Sequence, residues 1–154
     1  MINKKRSPFR GAFVAAGLWL LLLSEMGLAG SVEVTDAWVR ATMPGQTVAG
    51  VYLHVKSMLR ARVVGVKTGS AKTAEIHSMS QENGVMKMRK LDFLDLPAGE
   101  TVALEPRGNH IMLFDIRKPL QAGERIKLTL VIEQDGKKIN VPVTAEVRAL
   151  TGQH

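Results

Sequence analysis

The chain has 154 residues, no cysteine, and 21 lysines and arginines against 14 aspartates and glutamates, which gives a formal net charge of +7. Without cysteine there is no blue-copper electron-transfer site, because that site requires a thiolate ligand, and no cysteine nucleophile or lipid-bearing cysteine. The basic residues do not cluster with interleaved aromatic residues, so the charge gives little support to nucleic-acid binding.

Residues 1–29 have the layout of a secretory signal peptide. A basic segment (residues 4–10) precedes an apolar run (residues 11–23), and Gly27 and Ala29 provide small residues at positions −3 and −1 of a cleavage site. The apolar run is short for a membrane span. We therefore predict export to the periplasm, removal of the leader, and no stable membrane insertion afterwards. The leader holds four basic residues and one acidic residue, so its removal lowers the net charge from +7 to +4.

Residues 30–150 are predicted to form a single domain, followed by a short tail at residues 151–154. Short apolar runs alternate with turn residues along this domain, and no part of it has a convincing helical period. Two tight-turn pairs, Asn83-Gly84 and Asp135-Gly136, predict two hairpins. The pattern indicates an all-β fold, either a sandwich or a barrel. Besides the strands flanking the first turn pair, the predicted strands cover residues 32–41, 47–55, 61–66, 101–104, 110–115, 125–133 and 138–147.

The first turn pair sets the geometry of its hairpin. A two-residue type I′ turn makes Met79 the direct neighbour of Met88 on the opposite strand. Because successive side chains of a strand alternate between its faces, Lys87 and Arg89 point away from the methionine face. The methionine face then carries four side chains: His77, Met79, Met86 and Met88.

Residues 110–115 predict a strand with one side facing the core. Ile111 and Leu113 form the core-facing set, and His110 and Met112 alternate with them, so the latter two face outward or into a cleft. Methionines in sheets commonly fill the core, and this is the competing interpretation of the methionine face. Methionine on the side opposite to the core is not explained by core packing. Binding of a soft metal ion would explain it.

The donor types indicate which metal would bind. Thioether sulfur is a soft, neutral donor that favours Cu(I), and imidazole suits copper in general. Zinc prefers Cys, His, Asp and Glu, whereas calcium and magnesium prefer oxygen ligands. A mixed set of histidines and methionines, without thiolate or carboxylate, therefore predicts a copper site.

The spacing of these donors resembles a known signature. Ten residues separate His77 from Met88, and twenty-one separate Met88 from His110-Ile111-Met112. This is similar to the H-x10-M-x21-H-x-M signature of the periplasmic copper chaperones known as the PCuAC family. The resemblance extends from about residue 32 to about residue 147 and includes the segments 84–89, 96–100 and 108–113.

The resemblance implies a cupredoxin-like Greek-key fold that binds one Cu(I) through His77, Met88, His110 and Met112. It also implies delivery of copper to the binuclear copper centre of cytochrome c oxidase. The expected partners are the oxidase subunit that carries this centre and a thiol-reductase-type copper assembly protein. We expect a monomer that carries copper and is not an enzyme, since no Ser/His/acid set stands out.

The residues leave two alternative functions open. One is an exported β-sandwich that binds other proteins without metal, with its methionines in the core. The other is a periplasmic protein that sequesters copper for copper tolerance. Further copper contacts by Met79 or Met86 also stay open. His54 is expected to be a solvated surface histidine, and no pattern places Trp38 near the site.

Overall fold

The computed structural model describes residues 31–149 of the chain. The predicted signal peptide (residues 1–29) and tail (residues 151–154) lie outside the described residues, so both stay predictions. Within residues 31–149, no helix is long and apolar enough to span a membrane. The same part of the chain contains ten strands: β1 (Val32–Arg40), β2 (Val48–Ser57), β3 (Ala61–Thr68), β4 (Ala71–Glu82), β5 (Val85–Leu91), β6 (Leu94–Leu96), β7 (Thr101–Leu104), β8 (His110–Ile116), β9 (Arg125–Gln134) and β10 (Lys137–Arg148).

The strands form one continuous sheet in the order β5-β4-β8-β2-β1-β10-β9-β3-β6, and β7 pairs with the second half of β2. β1 and β10 are parallel neighbours, whereas the other paired strands are antiparallel. The sheet curls so that apolar side chains from both of its halves meet in one core. This architecture confirms the predicted all-β class. Residues almost fully buried in the core include Val51, Leu53, Ile111, Leu113, Leu130 and Ile132.

Both predicted hairpins form around the predicted turn pairs. Asn83 and Gly84 have φ values of 52° and 79°, which is the left-handed backbone that a type I′ turn requires at both central positions. The resulting register pairs Met79 with Met88 and Gln81 with Met86. The predicted register of this hairpin is therefore confirmed.

The predicted strand boundaries outside this hairpin agree with the observed ones to within two residues. The three-residue strand β6 was not predicted, because a Leu-Asp-Leu segment is too short to display a period. β6 pairs with β3 and buries Leu94 and Leu96 on one side while Asp95 stays exposed. This short strand closes one edge of the sheet, and β5 forms the other edge.

A β-bulge in β1 decides which way Trp38 points. The pairing of β1 with β2 shifts by one residue between Thr35 and Trp38, and Asp36 in between has a φ of 48°. Without the shift, Trp38 would lie opposite Val51, a core residue. With it, Trp38 lies opposite Tyr52 on the other face of the sheet. One extra residue therefore moves Trp38 from the core side to the side where the candidate ligands lie.

The turn at Gly84 generates a stability prediction. A Cβ atom at Gly84 would meet no atom within 4 Å, so Gly84→Ala introduces backbone strain without a steric clash. We expect this substitution to lower the free energy of unfolding by about 1–2 kcal/mol, the cost of a left-handed conformation for an L-residue. Urea-induced unfolding of the two proteins measures this difference in the free energy of unfolding.

Gly69→Ala is the matched control. Gly69 also has open space around it, but its φ lies outside the left-handed region. Alanine there should leave the free energy of unfolding unchanged or raise it by up to about 1 kcal/mol. Equal effects of the two substitutions would contradict a type I′ turn at Asn83-Gly84.

Candidate metal centre

The four predicted ligands lie on three adjacent strands of the sheet. In the pairing of β4 with β8, His77 lies directly opposite His110. On its other side β4 pairs with β5, where Met79 lies opposite Met88. Met112 is two residues beyond His110 on the same face of β8. Strand pairing thus gathers residues that are far apart in the chain onto one surface of the sheet.

Three of the four predicted ligands line a cleft of about 730 Å³ on this surface: Met88, His110 and Met112. Met79 lines the same cleft, whereas Met86 does not and is 45% exposed near the hairpin tip. The sequence did not decide whether Met79 or Met86 also contacts copper. Of these two, only Met79 is placed where it could contact a bound ion.

His77 is the fourth predicted ligand, and it is buried beside the cleft. It is 9% exposed, and its ring centroid lies 6.1 Å from that of His110. With metal–nitrogen bonds of about 2 Å, the centroids of two imidazoles on one metal lie roughly 5 Å apart at a tetrahedral angle and up to roughly 6.5 Å apart when the two nitrogens are on opposite sides of the ion. The two rings are therefore close enough to share a single ion between them.

His110 is held by a backbone carbonyl. Its Nδ1 lies 3.0 Å from the carbonyl oxygen of Gly108. Because a carbonyl only accepts hydrogen bonds, Nδ1 carries the proton and Nε2 keeps a lone pair for a metal. The same carbonyl accepts a hydrogen bond of 3.2 Å from the backbone N–H of Met79. One oxygen atom thus ties the loop before β8 to the strand that carries His77 and Met79.

His77 has the opposite arrangement of its ring nitrogens. Its Nε2 lies 2.9 Å from Oε2 of Glu75, and Oε1 of the same carboxylate accepts a 2.8 Å hydrogen bond from Nζ of Lys90. The hydrogen bond from Lys90, and then the one from His77, lowers the pKa of Glu75. Nδ1 of His77 is buried and has no hydrogen-bond partner within residues 31–149. A buried polar atom without a partner is uncommon and calls for an explanation, which a bound metal would provide.

An aromatic wall closes one side of the cleft. The ring centroids of Trp38 and Tyr52 are 4.5 Å apart, and those of Tyr52 and His110 are 6.4 Å apart. Gly50 leaves room for this wall, because a Cβ atom there would come within 2.6 Å of the Tyr52 hydroxyl. Trp38, which no sequence pattern placed, thus lies at the candidate site.

His54 also lines the cleft, with its Nε2 3.6 Å from a carboxylate oxygen of Glu105. Its side chain is 37% exposed, so the predicted solvated histidine is in fact half-buried at the cleft wall. Glu75, Tyr52 and the Gly108 carbonyl were not among the residues predicted to form the site. The position of Glu75, two residues before His77 on the same face of a strand, was the one available signal.

The donor set of the described residues 31–149 restricts the kind of metal. Among them, no group of three or more His, Cys, Asp or Glu side chains is arranged to hold an ion. Zinc, calcium and magnesium sites are built from such groups. The cleft offers methionine sulfur as an additional donor, through Met79, Met88 and Met112, and thioether donors favour Cu(I).

Comparison with known proteins shows one matching family model and two related proteins. A family model described as "Putative lipoprotein LpqE-like" matches residues 32–145. "Putative lipoprotein Lxx21020" of Leifsonia xyli subsp. xyli is 34% identical over 125 residues, which cover 80% of this chain and 74% of that protein. The uncharacterized protein RP573 of Rickettsia prowazekii is 28% identical over 120 residues, which cover 73% of this chain and 66% of that protein.

Two solved structures connect this fold to copper. The copper-bound PCuAC domain from PmoF2 is 29% identical with a TM-score of 0.63, and the match covers 78% of this chain and 94% of that domain. The solution structure of CuI-DR1885 from Deinococcus radiodurans is 30% identical with a TM-score of 0.57, covering 73% of this chain and 75% of that one. The predicted resemblance to PCuAC domains and the cupredoxin-like sandwich are thus confirmed. The expectation that the chain is not an enzyme agrees with these relatives.

The aromatic wall generates a second prediction. Gly50→Ala should push the Tyr52 ring away from its position while the fold survives, because the clash involves the far end of a flexible side chain. Trp19 lies in the predicted leader, so the near-UV circular dichroism of the leader-free protein reports on Trp38. We expect this signal to change in Gly50→Ala.

Gly65→Ala provides the control. A Cβ atom there would make only ordinary contacts of 3.7 Å with Val131, away from the cleft. Its near-UV spectrum should match that of the unsubstituted protein. If Gly50→Ala also left the spectrum unchanged, the contact between the Trp38 and Tyr52 rings would not depend on the space at Gly50.

Proposed function

Because the chain belongs to the LpqE-like family and has the fold of PCuAC domains, we propose that it is a periplasmic copper chaperone that binds one Cu(I). The proposed ligands are His77, Met88, His110 and Met112. The observation that carries the proposal is the pairing of His77 with His110 across β4 and β8. Nδ1 of His77 has no hydrogen-bond partner among residues 31–149, and the bond of His110 Nδ1 to the Gly108 carbonyl leaves a lone pair on Nε2.

The four proposed ligands suit a cargo that has to be released. Two imidazoles and two thioethers hold Cu(I) without adding negative charge, so no thiolate has to be protonated before the ion leaves. A thiolate is the better Cu(I) ligand, so transfer to an acceptor that offers cysteine is favourable. The donor set therefore supports transport more than permanent storage.

The different exposure of the proposed ligands supports an order in which an acceptor would replace them. Met88 is 48% exposed on the edge strand β5, whereas His77 is 9% and His110 is 4% exposed. An incoming ligand would reach the ion from the open side of the cleft and replace Met88 first. The two buried histidines would release the ion last, when the acceptor already holds it.

We further propose that the acceptor is the cytochrome c oxidase subunit with the binuclear copper centre. A thiol-reductase-type assembly protein would keep the acceptor cysteines reduced. Support for this step comes from the sequence resemblance and from the open cleft, which leaves room for an acceptor ligand. The layout of residues 1–29 supports the periplasm as the compartment, whereas the lipoprotein descriptions of the family model and of the Leifsonia relative support export in general.

Cu(I) binding tests the proposed ligands. In competition with a chromophoric chelator, the leader-free protein should bind one equivalent. His110→Ala and Met88→Ala should weaken binding by more than the roughly 10–100-fold that is typical for losing an outer-shell partner.

Met86→Ala is the matched control, because Met86 lies on the same strand and face as Met88 but outside the cleft. Its affinity should equal that of the unsubstituted protein. If all three variants bound copper equally well, the proposed ligand set would be wrong, and absence of binding in every form would favour the metal-free interaction module.

Transfer to an acceptor separates delivery from sequestration. The Cu(I)-loaded protein, mixed with the reduced soluble copper domain of the oxidase subunit, should lose its metal to the acceptor. NMR spectra of both proteins can follow the transfer. Copper that stays on this protein in the presence of the reduced acceptor would favour the alternative role in copper tolerance.

A further inference from the structure

Glu75 links the site to a charged side chain on the neighbouring strand. Glu75 and His77 lie on the same face of β4, and Lys90 of β5 lies directly opposite His77. The carboxylate bridges the two, with 2.9 Å to Nε2 of His77 and 2.8 Å to Nζ of Lys90. Glu75 itself is not among the residues that line the cleft, so it is placed to act on the site through His77.

We propose that Glu75 is a positioning residue that holds the His77 ring with its proton on Nε2 and leaves Nδ1 free as the copper donor. His77 would then bind Cu(I) through Nδ1, whereas His110 binds through Nε2. This inference rests on the proposed function, since it concerns the same site.

The hydrogen bonds determine the two tautomers. A neutral imidazole carries a proton on one nitrogen and a lone pair on the other. A carboxylate accepts and does not donate, so the bond to Glu75 requires the proton on Nε2 of His77. The bond to the Gly108 carbonyl requires it on Nδ1 of His110. The two facing histidines are therefore fixed in opposite tautomers.

Burial explains why the tautomer of His77 needs a dedicated partner. His77 is 9% exposed, and its Nδ1 is buried without a partner in the described part of the chain. Rotation of the ring by half a turn would exchange nitrogen and carbon positions and break the bond to Glu75. A buried hydrogen-bond acceptor without a partner destabilises the folded protein. A metal ion bound by the other donors of the cleft would be a partner for Nδ1.

Lys90 binds the Glu75 carboxylate at the oxygen that His77 does not use. Its ammonium group holds the second carboxylate oxygen and balances the negative charge of Glu75, so the site gains no net charge. Lys90 lies two residues beyond Met88 on β5. The chain from His77 through Glu75 to Lys90 thus joins the strands that carry two of the proposed ligands.

The test compares Glu75→Ala with the conservative Glu75→Gln. The amide oxygen of glutamine can still accept the proton of Nε2, whereas alanine cannot. Long-range 1H–15N correlation spectra of the copper-free, leader-free protein at near-neutral pH report the protonated nitrogen of each histidine. We expect His77 to carry its proton on Nε2 in the unsubstituted protein and in Glu75→Gln, and to lose this preference in Glu75→Ala.

His110 is the internal control, because its proton should stay on Nδ1 in all three proteins. In parallel, Glu75→Ala should weaken Cu(I) binding by about 10–100-fold and Glu75→Gln by less. A proton on Nδ1 of His77 in the unsubstituted protein would overturn the inference. So would unchanged copper affinity in Glu75→Ala.

The two proposals fail in different ways. If the unsubstituted protein bound no Cu(I), the proposed function would be wrong, and with it the role assigned to Nδ1. If it bound Cu(I) but Glu75→Ala bound it equally well, only the positioning role would be lost. Should Glu75→Ala fail to fold, the tautomer in the unsubstituted protein and the retained preference in Glu75→Gln decide the question.

Discussion

The register of β4 with its two neighbours is the constraint on which the candidate site depends. β4 places His77 opposite His110 on one side and Met79 opposite Met88 on the other. Side chains of a strand alternate between its faces, so a slip of one residue would turn the whole donor set of that strand to the opposite face. The type I′ turn at Asn83-Gly84 holds the register with β5, and the burial of the apolar residues holds the register with β8.

One face of β8 packs in the core and stabilises the fold, and the other face carries two of the proposed ligands. Ile111 and Leu113 are 1% and 0% exposed and pack in the core, while His110 and Met112 alternate with them on the cleft side. The core therefore fixes the direction of the donor side chains without using them for packing. A binding site built on regular strands in this way is held more rigidly than one built on loops, which favours a preformed site.

The polar contacts around the cleft leave specific atoms free. One carbonyl holds His110 through Nδ1, and one carboxylate holds His77 through Nε2. Each leaves a lone pair on the other ring nitrogen, and that of His77 has no partner among the described residues. Exposure falls from Met88 at the edge of the sheet to the histidines further inside. This gradient suits the proposed carrier, because an acceptor could reach Met88 while the two histidines still held the ion.

Short-range patterns in the sequence determined the all-β class, the hairpin register and the donor types. Each follows from local chemistry: a two-residue turn with left-handed backbone, side chains that alternate with a period of two, and soft sulfur and imidazole donors at fixed spacing. These rules act within one hairpin or one strand, so they could be applied without knowing how the strands assemble.

Only the tertiary structure decided how distant strands meet. The bulge in β1 turned Trp38 toward the cleft, and the pairing of β2 with β8 brought Tyr52 beside His110. The direction of the Glu75 carboxylate, between His77 and Lys90, also emerged only from the packed side chains. These placements depend on pairing between residues far apart in the chain and on a single inserted residue, and neither leaves a periodic signal in the sequence.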